Sequence, residues 1–284
     1  MLEVLDRRAR VGLLSLARRA DWRLRPARYR VPHLAGPAEP TFAFLVYEKT
    51  LPIRRDDPQA HPLLEAGKAT NLALAAPAFD GLLLEPARPL SFWRTLGPTS
   101  AGRGYRHGME LRGGCVVPTV GGGICLLSTA LFELAAYLGF AILERHGHSI
   151  ETVPPRAGEL WGLDATVFHP YVDLCFAPRE GRARLEVAVA DGHLRLAVRA
   201  DAPSRVRTVL SSVDDRVEES PFGPVRHNRI VRSLFTTATG APIEGDVIAV
   251  NRRRVVPAVR NGQSCLTCGE VACWERPAFT REPR

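Results

Sequence analysis

The chain has 284 residues, 45% of them hydrophobic, and a formal charge of +8. That is enough for a real core in one large domain or two small ones, and no apolar run has the length needed to cross a bilayer. The opening MLEVLDRRARVGLLSLARRADWRLRP breaks its leucines with arginines and lacks a cleavage-site pattern, so a cytoplasmic protein is expected rather than a secreted one.

The charge is uneven. Residues 1–30 hold nine arginines against Glu3, Asp6 and Asp21. A helix carrying Leu2, Leu5, Leu13, Leu14 and Leu16 among them predicts peripheral contact with an anionic membrane; a solvated surface helix is the plainer alternative. No array of stacking aromatics runs through these arginines, and no nucleic acid is expected as a partner. Arg23–Pro40, rich in proline and arginine, reads as a connector.

Thr41–Lys49 has strand composition, residues 59–77 read as a helix, and Leu82–Leu84 and Pro89–Trp93 read as short strands. Pro98–Gly114, dense in glycine and arginine, reads as a loop. Ile124, Leu127, Leu131, Leu134, Ala135 and Leu138 recur at helical spacing before Gly139, which predicts a helix over 124–139. Ala165–Phe168 and Tyr171–Ala177 read as strands joined near His169-Pro170. Leu185, Val187 and Val189 alternate up to Asp191-Gly192, and Leu194, Leu196 and Val198 alternate after it. Asp-Gly favours a type I′ turn, which pairs 189 with 194, 187 with 196 and 185 with 198 and puts all six apolar side chains on one face. Phe222–Leu234 and Asp246–Arg254 read as strands. The sum is an α+β fold, a Cys-bearing helix packed on a mostly antiparallel sheet.

The chemistry gathers where Gly121, Gly122 and Gly123 lead into Ile124-Cys125. Unpaired N–H groups at a helix start favour negative charge, and a thiol there ionises more easily. A helix over 124–139 is about 24 Å long at roughly 1.5 Å per residue. The following chain reaches residue 148 over about 30 Å at roughly 3.3 Å per residue. A strand running back can therefore place His146 and His148, two apart and on one side, beside Cys125. The catalytic set is then Cys125 as nucleophile, His148 or His146 as base, and an acid that orients the imidazole. Asp173 ranks first for that acid and Asp164 second, with Glu144 on the face of the histidines. Gly121, Gly122, Gly123, Ser128, Glu144 and Arg145 are the ligand-binding candidates, because glycines admit a ligand close to the backbone. Cysteine and neutral histidine also suit zinc or iron, so Cys125, His146 and His148 form an alternative metal set. A packed core cysteine is the bland alternative.

Cys265, Cys268 and Cys273 form a second cluster near the end of the chain. The C-x2-C pair and a third thiolate suit zinc or an iron–sulfur cluster, with a fourth ligand from elsewhere. A tail of reducible thiols is the alternative.

These motifs resemble the VanW family. The resemblance rests on Leu90-Ser91-Phe92-Trp93, Gly104-Tyr105, Gly121 through Ser128, Glu144-Arg145-His146-Gly147-His148-Ser149, Ala165 through Phe168 and Tyr171 through Leu174, and it covers most of residues 47–250. It departs at Leu126, where the family usually carries glutamine. It implies an envelope or antibiotic-resistance context without naming a reaction. The order cysteine, histidine, acid is similar in layout to transglutaminase-like and papain-like enzymes. Three functions are expected, in this order: thiol-dependent acyl transfer or amide hydrolysis on peptide or cell-wall-related substrates, metal binding, and a non-catalytic envelope-associated role. The predicted organisation is a basic helix and connector over 1–40, a VanW-like α+β domain over 41–255 and a Cys-containing tail over 256–284.

Overall fold

A computed structural model describes residues 7–29, 31–36, 42–54, 61–86, 88–112, 115–151, 158–221 and 223–255. In chain order the elements are α1 (Arg7–Leu24), β1 (Phe44–Pro52), α2 (Pro62–Ala75), β2 (Leu83–Leu84), β3 (Leu90–Ser91), α3 (Phe92–Leu96), β4 (His107–Arg112), β5 (Cys115–Val120), α4 (Cys125–Tyr137), β6 (Ala141–Glu144), β7 (Ile150–Glu151), β8 (Cys175–Ala177), β9 (Ala183–Ala190), β10 (His193–Ala200), β11 (Val206–Glu218), β12 (Val225–Thr236) and β13 (Pro242–Val255). The strands form four sheets, ordered β1-β10-β9-β2, β11-β12-β13-β7, β3-β8-β6 and β4-β5. Their pairings are antiparallel except that of β13 with β7. The molecule is thus a mixed α+β protein with few helices and mostly antiparallel sheets.

The sequence of α4 explains its place. Glu133 is the only charged residue in CLLSTALFELAAY, so the helix is apolar nearly all round and belongs inside. Leu127, Leu131, Phe132 and Leu134 are fully buried, each contributing roughly 1.5–3 kcal/mol of burial. Rather than lying on the face of one sheet, the helix packs against β6, β8, β10 and β11. Glu133 is matched by Lys49 of β1 at 2.5 Å. Gly139, at φ +72°, closes the helix. The N–H of Phe140 reaches the Ala135 carbonyl and that of Gly139 the Ala136 carbonyl, as in a Schellman ending.

The β9–β10 hairpin has the expected register, 189 with 194, 187 with 196 and 185 with 198. Asp191 and Gly192 both have positive φ, as a type I′ turn requires. Elsewhere the chain departs from its pattern. The stretch read as a loop over Pro98–Gly114 contains β4, paired to β5. Of the two strands read over 165–177 only β8 forms, and Phe168 and Val172 share a single bridge. Residues 165–168 run across α4 instead, held by its hydroxyls. Trp93 belongs to α3 rather than to a strand.

Three backbones meet where α4 begins. A Cβ on Gly67 of α2 would lie 1.9 Å from the His107 carbonyl oxygen, and one on Gly122 would lie 2.4 Å from the backbone of Gly108 in β4. Asn71 of α2 locks this contact. Its side-chain N–H groups donate to the Arg106 and Gly122 carbonyls, and its side-chain oxygen accepts from the Arg106 N–H. The glycine-led turn is therefore clamped in place before the cysteine is reached.

Candidate active site

Cys125 is the first residue of α4, and Ile124 before it supplies no side-chain cap. The helix start therefore leaves its positive end toward the sulfur. Two hydroxyls of α4 draw the 164–168 segment over the thiol. Ser128 Oγ donates to the Ala165 carbonyl at 2.7 Å, and Thr129 Oγ1 accepts from the Ala165 N–H at 3.2 Å. Thr166 Oγ1 then stands 3.7 Å from Sγ and the Val167 carbonyl 4.0 Å from it.

The imidazole arrives from the other side. After β6 the chain leaves the sheet, and residues 145–148 form a loop, not the returning strand. His148 therefore does not share a face with His146. His148 lies beside Cys125, close enough for each to shift the titration of the other, while its Nδ1 pairs with Asp164 Oδ2. The His148 N–H adds a second bond to the same carboxylate oxygen at 3.1 Å. The other oxygen of Asp164 accepts from Arg145 at 2.9 Å and from Arg253. Arg145 is buried and also binds the Gly162 and Asp164 carbonyls and Asn251 Oδ1. Asn251 in turn bonds Asn228. Asn251 and Arg253 lie two apart on β13, with side chains turned inward.

The charges follow from these contacts. Burial opposes ionisation of Cys125, but the hydrogen bond and charge of His148, helped by Val167 and Thr166, hold the thiol below its ordinary value. Burial works against a charged His148, yet Asp164 and Cys125 push it up to about 10. Burial also opposes the Asp164 charge. His148, Arg253 and Arg145 overcome it and hold the carboxyl far below the usual range. These contacts favour an imidazolium against a carboxylate and make the thiol easier to ionise than a free one. About a third of the His148 side chain is exposed, and Cys125 beneath it is partly buried.

Several predicted site residues sit elsewhere. Asp173, ranked first as the acid, is fully buried and faces α3. Its carboxylate accepts from Ser91 Oγ at 2.5 Å and from the Trp93 and Leu174 N–H groups. The turn at residues 169–172 swings it away from the imidazole, and the second-ranked Asp164 takes that place. His146 is largely exposed and meets Glu144 Oε1 at 3.1 Å, away from the thiol. Glu144 is held by Arg18 of α1 at 2.5 Å and also accepts from the Asp173 N–H. Ser128 and Arg145 are buried in the internal contacts already given, and Gly121, Gly122 and Gly123 pack against Thr99, β4 and Lys68. Glu144, Arg145 and His146 do line one wall of a cleft of about 530 Å³, whose other wall is residues 246–250 of β13.

Thr166, Asn251 and Arg253 were not singled out by sequence. Thr166 lies within the Ala165–Phe168 motif. The signal for the other two was period-two alternation placing polar residues on the inward side of a strand. Among the described residues no group of three His, Cys, Asp or Glu side chains converges to hold a metal, so the set Cys125, His146 and His148 does not assemble. Cys265, Cys268 and Cys273 lie outside the described residues.

Comparison with known proteins covers this region. Residues 67–199 match the family profile described as VanW like protein, a narrower stretch than the motifs suggested. The chain is 30% identical over 137 residues to the vancomycin B-type resistance protein VanW of Enterococcus faecalis, covering 48% of this chain and 50% of that protein. It is 33% identical over 102 residues to the uncharacterized protein YoaR of Bacillus subtilis, covering 35% of this chain and 32% of that protein. The chain thus spans half or less of the length of these relatives. No solved structure matches it. Cys125, His148 and Asp164 all fall inside the matched stretch, and residues 67–199 form a VanW-like region of the chain.

Proposed function

We propose that Cys125, His148 and Asp164 form a thiol–imidazole–carboxylate site for acyl transfer or amide hydrolysis. The observation that carries this reading is the single imidazole held between the thiol and a carboxylate that is itself fixed by two arginines. The Cys125 thiolate attacks an acyl carbon and forms a thioester. The C–N bond breaks as the His148 imidazolium gives its proton to the departing amine. Water or a second amine then attacks the thioester, the neutral imidazole takes its proton, and the thiolate returns. Asp164 holds Nδ1 and stabilises the charged ring. The layout is of the transglutaminase-like and papain-like kind. Similarity to a vancomycin-resistance protein directs the choice of substrate to peptide and cell-wall amides.

The test is alkylation of Cys125 by iodoacetamide as a function of pH, followed by mass spectrometry. Wild-type protein reacts faster than a free thiol below pH 7 and reaches its plateau early. His148→Ala moves the rise toward the ordinary thiol value near 8.5. Slow labelling of Cys125 with a free-thiol profile in the wild type would defeat the proposal. Turnover is then sought with short cell-wall peptides, using Cys125→Ala as the blank.

A further inference from the structure

The two faces of α1 differ, and among the described residues the fold covers one of them. Val11, Leu14, Ser15, Arg18, Asp21 and Trp22 are half-buried and recur at the spacing of a single helical face. Trp22 packs against the core, and Arg94 lies over its ring at 5.7 Å. Arg18 reaches Glu144, and Asp21 is engaged by Tyr29 and Arg25. This face fastens the helix to the body of the molecule.

Among the described residues the opposite face is open. Leu13, Leu16 and Leu24 are 49%, 62% and 81% exposed. At about 100° per residue, Leu16, Ala20, Leu13, Leu24 and Ala17 form one apolar stripe roughly 100° wide. Exposed Arg23 and Arg19 border it on one side and Arg10 on the other. Among the described residues this face carries no acidic side chain, and Asp21 is turned inward. Among the described residues no helix is long and apolar enough to cross a membrane.

We infer that the outward face of α1 rests on an anionic lipid surface, with Leu13, Leu16 and Leu24 in the headgroup boundary and Arg10, Arg19 and Arg23 against acidic headgroups. An apolar stripe edged by arginines on both sides matches the two layers of such an interface, apolar below and negative above. Nucleic acid would take the arginines but leave the leucines without a role, since base stacking needs aromatic rings. A second copy of the chain would cover the leucines but would bring two like-charged rims together.

The experiment is co-sedimentation of the full chain with vesicles of phosphatidylcholine alone or with 30 mol% phosphatidylglycerol, at low and at 0.5 M salt. The protein is expected to pellet with the anionic vesicles at low salt, to be released by salt, and to stay in solution with the neutral ones. Arg10→Gln, Arg19→Gln and Arg23→Gln each weaken binding by about fivefold, and Leu13→Gln with Leu16→Gln removes it. All these positions are exposed, so thermal unfolding is expected to stay near wild type. Binding that ignores lipid charge, or variants that bind as well as wild type, would overturn the inference. So would a lipid-free dimer lost in the leucine variant, or an RNA oligonucleotide that displaces the vesicles and binds the leucine variant equally well.

Discussion

Asp164 carries more of the site than any other side chain. It orients His148, and it neutralises Arg145 and Arg253, which are both almost fully buried on their own. Asp164→Asn keeps the shape and removes the charge. The expected result is a Cys125 alkylation rate at pH 6 lower by about tenfold for each pKa unit the thiol regains. A loss of about 3 kcal/mol in urea unfolding should accompany it, because two buried cations lose their partner. An unchanged alkylation profile would remove Asp164 from the proposed mechanism. The same contacts set the expected pH dependence of stability. His148 is raised to about 10, so its contribution is complete below its unfolded value near 6.5 and is lost as pH climbs through about 10. Asp164 is depressed, so its contribution is present above about 3.9 and is lost as pH falls through its folded value. Wild type should therefore lose more stability between pH 7 and 10 than His148→Ala does; parallel urea midpoints across that range would contradict the pairing.

Arg232 of β12 shows how one buried cation joins a strand to a helix end. It is fully buried, grips both oxygens of Asp246 at 2.8 and 2.7 Å, and donates to the Phe140 carbonyl at 2.8 Å. The cation sits at the C-terminal end of α4, where carbonyl groups accumulate. Arg232→Met is expected to lower stability by about 3 kcal/mol, read as a fall in the denaturation midpoint. A change under about 0.5 kcal/mol would show that the contact contributes little. What the sequence revealed of these elements depends on contrast between faces. Leu185 to Val198 alternate cleanly around Asp-Gly, and the hairpin was legible down to its register. α4 was legible from its spacing, although its all-round apolarity points to the interior rather than to one sheet. β4 and β5 were hidden because Gly108, Arg112 and Pro118 lack strand composition. β11 was hidden because most of its residues are exposed and its apolar positions mark no clear inner face. The meeting of Cys125 and His148 followed from helix length and chain reach. The choice of Asp164 over Asp173 did not, because it turns on residues 165–168 being pinned to Ser128 and Thr129 instead of forming a strand.

Seen whole, the VanW-like stretch does not stand alone. Arg18, before it, holds Glu144 on one side of the histidine loop. Asn251 and Arg253, after it, hold Arg145 and Asp164 on the other. β1, which pairs along β10, also lies outside the matched stretch, as do the buried Leu51, Ile230 and Ile248. A fragment of residues 67–199 is therefore expected to lack a cooperative thermal transition and to show a free-thiol alkylation profile at Cys125. A folded fragment with the wild-type profile would mean that the flanking segments are dispensable for the site.

The apposition of Gly67, Gly108 and Gly122 has a genetic consequence. At each of these positions an added methyl group meets main-chain atoms of another element, and main chain offers nothing to trim. Alanine at Gly123 would strike the stem of Lys68 and would also have to hold a left-handed backbone at φ +88°, so a shorter neighbour relieves only part of its cost. Alanine at Gly122 admits no such remedy. In a deep mutational scan Gly67, Gly108 and Gly122 should tolerate no replacement, and a search for suppressors of Gly122→Ala should recover true revertants rather than compensating changes nearby.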